Sequence, residues 1–410
     1  MIQTKTNLKV CLLTNSVAFD THPLLRCLHN ELNELLIFVG TATERGRDWT
    51  AEWGDLPVRV QKCWTYTGLR HFGALAKEQY QRQIPYDTIP LLLRERPDVV
   101  ISTDLGFRTM QAALYRKLFA NSRLIIWSGL SQHTEQNLPW WRTFQRKMLY
   151  RAADAASANG FSAKAYLLGL DVPERKIFTL PYCFDLTSYL NLPLTREPDA
   201  VRRFLFVGGL IERKGLIPFL VVLSRWFQQH NDEKGELWIA GDGPLRRQVE
   251  EFPVPPRLRV TFLGNIAHEN LPAIYAQAGI LVFPTLADEW GLVVNEALSA
   301  GLPILGSLYS QAVEELVREG ETGWTFHPDR PSQVEHAVEQ AMLTPSPQLA
   351  AMRGNCRQAV THLTPSCGAN QLLRAIHFVQ TGEWEDVHDG GPVTHADYCE
   401  GSPIAQDYRA

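Results

Sequence analysis

Phe204-Leu-Phe-Val-Gly-Gly-Leu-Ile-Glu-Arg-Lys-Gly-Leu-Ile-Pro-Phe-Leu-Val-Val-Leu223 joins an apolar run, a glycine pair, a charged turn and a second apolar stretch with helical spacing. A short apolar run bounded by glycine reads as a strand buried on both faces, and residues 216–229 read as the helix that follows it. The unit recurs. Leu237-Trp-Ile-Ala240 precedes Gly241 and an amphipathic stretch at 245–252, and Val260-Thr-Phe-Leu263 precedes a helix near 271–278. Ile280-Leu-Val-Phe283 precedes a helix from about 292 to 300, and Pro303-Ile-Leu305 follows. Strand and helix in alternation predict a doubly wound α/β domain with a parallel sheet.

Working outward, the first half of the 410-residue chain shows the same grammar, with candidate strands at 9–13, 34–39, 98–101 and 123–127. Arg94-Glu-Arg-Pro97 closes a helix before the third of them, because proline cannot extend it. The length suits two domains. The first is expected at 1–192 and the second at 199–365, with the linker Leu192-Pro-Leu-Thr-Arg-Glu-Pro198 between them. Residues 366–385 read as a C-terminal helix packing back on the first domain. Residues 386–410, rich in Asp, Gly, Pro and Ser, read as a poorly ordered tail.

Composition narrows the function classes. Lys plus Arg is 40 and Asp plus Glu is 44, a net charge of −4, without the basic excess of a nucleic-acid binder. Residues 1–190 carry 23 basic and 17 acidic side chains, whereas 191–410 carry 17 and 27, so the two halves are expected to face different partners. The N-terminal apolar run, Val10 to Leu13, is too brief for a signal h-region, and no stretch of about 18 apolar residues occurs. Seven scattered cysteines without a C-x-x-C pair fit a reducing cytoplasm and argue against structural zinc.

Three stretches carry the chemistry. Gly208-Gly209 lets backbone approach a ligand, and Arg213 and Lys214 can add charge opposite a diphosphate; an ordinary turn with solvated basic residues is the competing reading. Ala240-Gly-Asp-Gly-Pro244 is again a strand running into a glycine turn, with Gly241 able to wall a cleft and Asp242 placed to cap the next helix. The third is Phe283-Pro-Thr-Leu-Ala-Asp-Glu-Trp-Gly-Leu-Val-Val-Asn-Glu-Ala-Leu-Ser-Ala-Gly301. Asp288 and Glu289 precede Gly291 at the start of a helix that carries Glu296 about one turn inside. Such carboxylates either offset the helix dipole or hydrogen-bond sugar hydroxyls, while amides at Gly291, Leu292 and Val293 can hold phosphate oxygens.

These ordered motifs, with Phe262-Leu-Gly264 and Gly301-Leu-Pro303, make residues 203–330 resemble the retaining GT-B glycosyltransferases of family four. The resemblance implies two Rossmann-like doubly wound domains facing across a cleft. It implies a nucleotide-diphosphate sugar as co-substrate, and a glycan or lipid-linked acceptor in cell-surface polysaccharide or glycolipid synthesis. By resemblance, Glu296 binds the donor ribose, Asp288 or Glu289 the donor sugar, and Lys214 with Arg213 the diphosphate. Asn265 and Ile266 border the base. Neither a metal nor another cofactor is expected, because cations and helix N-termini can stabilise the departing diphosphate. Retention without an opposed nucleophile implies front-face attack assisted by the leaving phosphate. The chain departs from the family twice: Asp288 stands where a glutamate is usual, seven residues separating it from Glu296, and Gly209 stands where an arginine is common.

In the first half, His133 with Glu135 follows the strand at 123–127, where similar enzymes place a histidine near the reacting sugar; a solvated loop histidine is the alternative. Pro139-Trp-Trp-Arg-Thr-Phe-Gln-Arg-Lys-Met-Leu-Tyr-Arg151 is a basic, aromatic helix. Trp140, Trp141 and Phe144 on one side, with Arg142, Arg146 and Lys147 at the flanks, suit the inner face of an anionic bilayer, or a packed helix whose arginines snorkel. An epimerase or phosphorylase on the same architecture and a non-catalytic sugar-nucleotide sensor are the competing functions.

Overall fold

The computed structural model describes residues 6–42, 53–72, 76–135 and 138–384. The chain forms two compact units. The first holds most of the chain up to Asp185 and takes back the segment from Leu363, and Leu186–His362 builds the second. The stretch expected as a tail, 386–410, lies outside the described residues.

In the first unit the chain runs through β1 (Thr6–Thr14), α1 (His22–Glu31), β2 (Leu32–Val39) and β3 (Val58–Val60), then a separate pair, β4 (Cys63–Phe72) and β5 (Ala76–Pro85). It continues through α2 (Thr88–Glu95), β6 (Val99–Ser102), α3 (Phe107–Leu118) and β7 (Arg123–Ile126), then α4 (Trp140–Ala152), β8 (Ala155–Ala158), α5 (Phe161–Gly169) and β9 (Ile177–Thr179). The seven-stranded sheet has the order β3-β2-β1-β6-β7-β8-β9, and its ladders are parallel. Short strands buried on both faces explain the unbroken apolar runs: all four residues of β6 are buried, and Cys11, Leu13, Phe38, Val100, Leu124 and Ile126 form one core.

The second unit begins with α6 (Thr187–Leu190) and β10 (Phe204–Val207), followed by α7 (Leu216–Gln229), β11 (Gly235–Ala240), α8 (Arg246–Glu250) and β12 (Leu258–Gly264). Then come α9 (Leu271–Ala276), β13 (Ile280–Phe283), α10 (Leu292–Ser299), β14 (Ile304–Ser307), α11 (Gln311–Leu316), β15 (Gly323–Phe326), α12 (Pro331–Leu343) and α13 (Ser346–Gln358). The parallel sheet runs β12-β11-β10-β13-β14-β15. Strand order reverses between β10 and β13, the kind of switch point at whose carboxyl ends open α/β sheets bind their ligands. Phe219, Leu223, Trp226 and Phe227 of α7 pack on Phe204, Phe206, Leu237 and Ile239 beneath it.

After α13 the chain returns to the first unit as α14 (Pro365–Thr381). Thr364 caps it by accepting a bond from the Cys367 amide at 3.2 Å, and Gly382 ends it with φ 86°. Gly368 lies against α1, where a Cβ would fall 2.4 Å from Leu24 Cδ1.

Four features differ from the sequence reading. Ala155-Ala-Ser-Ala158 is a buried strand although it contains no β-branched residue; neighbours on both edges supply what propensity lacks. The strands β3, β4, β5, β9 and β15 are short or polar and carry no comparable signal. The helix expected at 245–252 shortens to α8. Residues 193–198 lie inside the second unit and do not form a free linker: Leu194 approaches Gly301 so closely that a Cβ there would fall 2.4 Å from its Cδ2.

The reason for that packing is electrostatic. α10 ends with orphan carbonyls at the negative end of its dipole, and three guanidinium groups close it. Arg196 donates to Ala300 O at 2.8 Å, Arg353 to Gly301 O at 3.1 Å and Arg357 to Ser299 O at 3.0 Å. Burial, then the neighbouring Arg353 and Arg357, push the Arg196 pKa down to about 10. Arg353 is 2% exposed and also donates to Gly279 O at 3.3 Å. Replacing Arg353 with Met strands two buried carbonyls and is expected to cost about 2 kcal/mol, read as a lower denaturant midpoint.

Candidate functional site

The candidate site is built on the carboxyl ends of β10 to β13 in the second unit. Gly208 (φ 151°) donates its amide to Ala240 O at 3.0 Å, Leu210 N bonds Asp242 O at 2.9 Å, and Leu245 N bonds Leu210 O at 3.0 Å. The turns after β10 and β11 therefore meet backbone to backbone. A Cβ on Gly241 would lie 2.0 Å from Gly208 O, and one on Gly243 2.6 Å from Leu210 O, so both positions require glycine. Gly241 N continues the line to Gly264 O at 2.7 Å, and Asn265, exposed, and Ile266, half-buried, follow it at the end of β12. Gly209 differs: a Cβ there would meet only Asp242 O, at 3.8 Å, so packing does not dictate glycine where the resembled family has arginine.

Asp242 does not cap a helix. Its Oδ1 accepts from Gly243 N at 2.7 Å and its Oδ2 pairs with Arg246 at 3.2 Å, while α8 starts at Arg246 without a side-chain cap. The N-cap position of α8 is Leu245, three residues beyond Asp242, so the carboxylate serves the turn.

Arg213 and Lys214 ride on a short turn that leans on the end of β13. Gly215 (φ 68°) fits beneath Pro284, where a Cβ would fall 2.1 Å from the carbonyl oxygen, and Arg213 O accepts from Leu286 N at 2.8 Å and Thr285 Oγ1 at 3.1 Å. This docking brings both cations onto one carboxylate. Lys214 Nζ lies 2.6 Å and Arg213 3.3 Å from Asp288 Oδ2, and Lys214 also sits over the Phe283 ring at 5.4 Å. The Asp288 side chain is 15% exposed. Burial works to raise its pKa, but Lys214 and Arg213 outweigh it and hold the carboxyl below the usual range.

Asp288 and Glu289 stand outside α10, not in its first turn. Gly291 (φ 108°) precedes the helix, and a Cβ there would strike the Phe283 ring at 2.8 Å and Ser310 Oγ at 2.9 Å. Trp290 fixes the approach: its Nε1 donates to Asn295 at 2.8 Å and its carbonyl accepts from Ser310. Gln311 holds the Glu289 carbonyl at 2.5 Å, leaving that side chain half-buried. Leu292 and Val293 open α10 with no side-chain cap, a helix end suited to an anion. Glu296, 3% exposed, accepts a hydrogen bond from Tyr275 at 2.8 Å, and Tyr189 meets Tyr275 edge-on at 5.4 Å. Burial, then Glu296, raises the pKa of both phenols.

The structure thus brings Arg213, Lys214 and Asp288 into contact and strings Gly208, Gly241 and Gly264 along the same edge. Tyr275, Tyr189, Trp290, Asn295 and Ser310 support the site and were invisible in the sequence, since each reads as an ordinary core or turn residue. His133 belongs to the first unit, half-buried in a turn after β7. Its neighbour Glu135 is engaged by Arg146. Among the described residues no three His, Cys, Asp or Glu side chains gather to hold a metal ion.

Because the folded-state pKa of Asp288 is depressed, the pair stabilises the fold above the unfolded carboxylate pKa and fades as pH falls through the lower folded value. Asp288→Asn is expected to cost about 1–2 kcal/mol at pH 7 by leaving Lys214 uncompensated. The difference from the unmutated protein should close in acid; denaturant titrations across pH check both.

Residues 201–343 match the family model described as Glycosyl transferases group 1. An uncharacterized glycosyltransferase of Methanocaldococcus jannaschii is 28% identical over 35% of this chain and 36% of its own. An α-1,4-N-acetyl-D-galactosaminyltransferase of Campylobacter jejuni, named for a diphosphoundecaprenol-linked glycan, is 27% identical over 45% of this chain and 48% of its own. The chain thus matches half or less of these relatives' lengths. Among solved structures, the apo lipopolysaccharide outer core galactosyltransferase WaaB superposes with a TM-score of 0.68 at 14% identity, covering 90% of this chain and 99% of that one. Anabaena HepE, in complex with UDP and glucose, gives 0.66 at 14% identity with the same coverage. The protein has the GT-B fold, two Rossmann-like α/β domains, and residues 201–343 of its second unit match the glycosyl transferases group 1 model.

Proposed function

We propose that this protein is a glycosyltransferase that moves a sugar from a nucleotide-diphosphate donor, bound on the second unit, to a glycan or lipid-linked acceptor with retention of anomeric configuration. The observation that carries the reading is the convergence of Lys214 and Arg213 on Asp288 at the reversal between β10 and β13. Both cations stand beside Asp288, just ahead of α10, whose start carries no side-chain cap. A diphosphate entering there competes with Asp288 for Lys214, and the amides at Gly291, Leu292 and Val293 add their dipoles.

Charge that develops on the departing diphosphate is then stabilised by groups already in place, so the reaction needs no divalent ion. Displaced from Lys214, Asp288 turns to the donor sugar with Glu289. Glu296, with Tyr275 on one side, takes the ribose hydroxyls, and Asn265 and Ile266 border the base. The leaving phosphate itself deprotonates the acceptor hydroxyl on the same face, which preserves configuration without a second nucleophile. Acceptor recognition falls to the first unit, with His133 as its candidate contact. The names of the relatives support the class, the Campylobacter one carrying a lipid diphosphate acceptor. Among the described residues no helix is long and apolar enough to cross a membrane, and the proposed place of action is the cytoplasm.

A panel of sugar nucleotides incubated with purified protein and glycan or lipid-linked acceptors tests this. Expected are transfer, or slow donor hydrolysis without acceptor, insensitivity to EDTA, and a retained anomeric centre by NMR. Lys214→Ala and Glu296→Gln should each lower turnover by about a hundredfold or more while the fold persists. Conversion of the donor sugar without an acceptor would instead identify an epimerase, dependence on inorganic phosphate a phosphorylase, and donor binding with no turnover a sensor.

A further inference from the structure

The first unit carries an apolar face that the proposed reaction does not use. On α3, Phe107, Met110, Leu114 and Leu118 are spaced to form one stripe, and all are exposed. On α4, Trp140, Trp141, Phe144 and Met148 form a second; Trp140 is 80% and Phe144 60% exposed. The helices pack side by side, and Gln145 Nε2 reaches Met110 Sδ at 3.2 Å, so the stripes adjoin. Contiguous large apolar side chains on a soluble surface mark an interaction site.

The charges say what covers it. Neither α3 nor α4 contains an acidic residue. Arg116 is neutralised by Asp154, Arg146 by Glu135 and Lys147 by Asp171, each acid coming from another element. Lys117, Arg142 and Arg151 remain without an ion pair among the described residues, and Arg142 lies over the Trp141 ring at 5.3 Å, at the border between ring and water. The sequence pattern counted Arg146 and Lys147 toward a membrane surface; the structure pairs Arg146 with buried Glu135 and Lys147 with Asp171 at the surface, and α3 supplies half of the apolar face instead. A second copy docked on this face would set like charges against each other. A bilayer with anionic headgroups offers hydrocarbon to the stripes and opposite charge to the three free cations.

We propose that the α3–α4 face docks the protein on an anionic lipid surface, the indoles and Phe144 entering the headgroup boundary and Lys117, Arg142 and Arg151 pairing with lipid phosphates. The inference stands apart from the transfer reading, because the assay needs no sugar nucleotide. Full-length protein is sedimented with vesicles of phosphatidylcholine alone or with 30% phosphatidylglycerol. About tenfold stronger partitioning onto the anionic vesicles, weakened by added salt, is expected. Leu114→Glu with Phe144→Glu, both exposed positions, should abolish binding without shifting thermal unfolding. Should that pair unfold the chain, Arg142→Glu with Arg151→Glu should remove the preference for anionic lipid alone. No sedimentation with either vesicle, equal sedimentation with both, or unchanged binding by the variants would overturn the proposal. So would a dimer that the Leu114/Phe144 variant dissociates without any vesicle binding, since it would identify a second copy as the occupant.

Discussion

Backbone touching backbone at the carboxyl edge of the second sheet is the constraint on which the site depends. The turns after β10 and β11 meet with no side chain between them, and the turn carrying Lys214 lies against the Pro284 carbonyl. Any Cβ at Gly241, Gly243 or Gly215 would force these loops apart. With them would go the geometry in which Arg213, Lys214 and Asp288, drawn from two loops more than 70 residues apart, share one corner.

Charge is handled in two ways in this unit. At the far end of α10, Arg196, Arg353 and Arg357 spend their guanidinium groups on backbone carbonyls, where the helix dipole welcomes them and no ligand is needed. At the near end, Lys214 and Arg213 converge on the Asp288 carboxylate instead. The first arrangement fixes the helix; the second leaves a pair that an anion can open. One helix is thus anchored at its tail and available at its head.

Much of this was legible in the residues. Phe204-Leu-Phe-Val207 and Ile280-Leu-Val-Phe283 are strands at their predicted positions, because an unbroken apolar run of four between glycine and helix has few other places to go. Ala155-Ala-Ser-Ala158 was not legible, since its strand exists only by virtue of β7 and β9 on either side. Asp242 looked like a helix cap because the spacing to Pro244 permits one, yet Arg246 claims it. Arg146 looked like a surface cation because helical periodicity cannot show that Glu135 waits beside it.

The sequence by itself determined the alternation of strand and helix, the glycines at the strand ends and the carboxylates and cations that gather at them. These are local properties, written in runs of a few residues and in the conformations only glycine adopts. The tertiary structure alone decided which charges meet. Lys214 with Asp288, Glu296 with Tyr275, and the joining of α3 to α4 into one apolar face are contacts between segments distant along the chain. Their distances follow from strand order and packing, which no local pattern encodes.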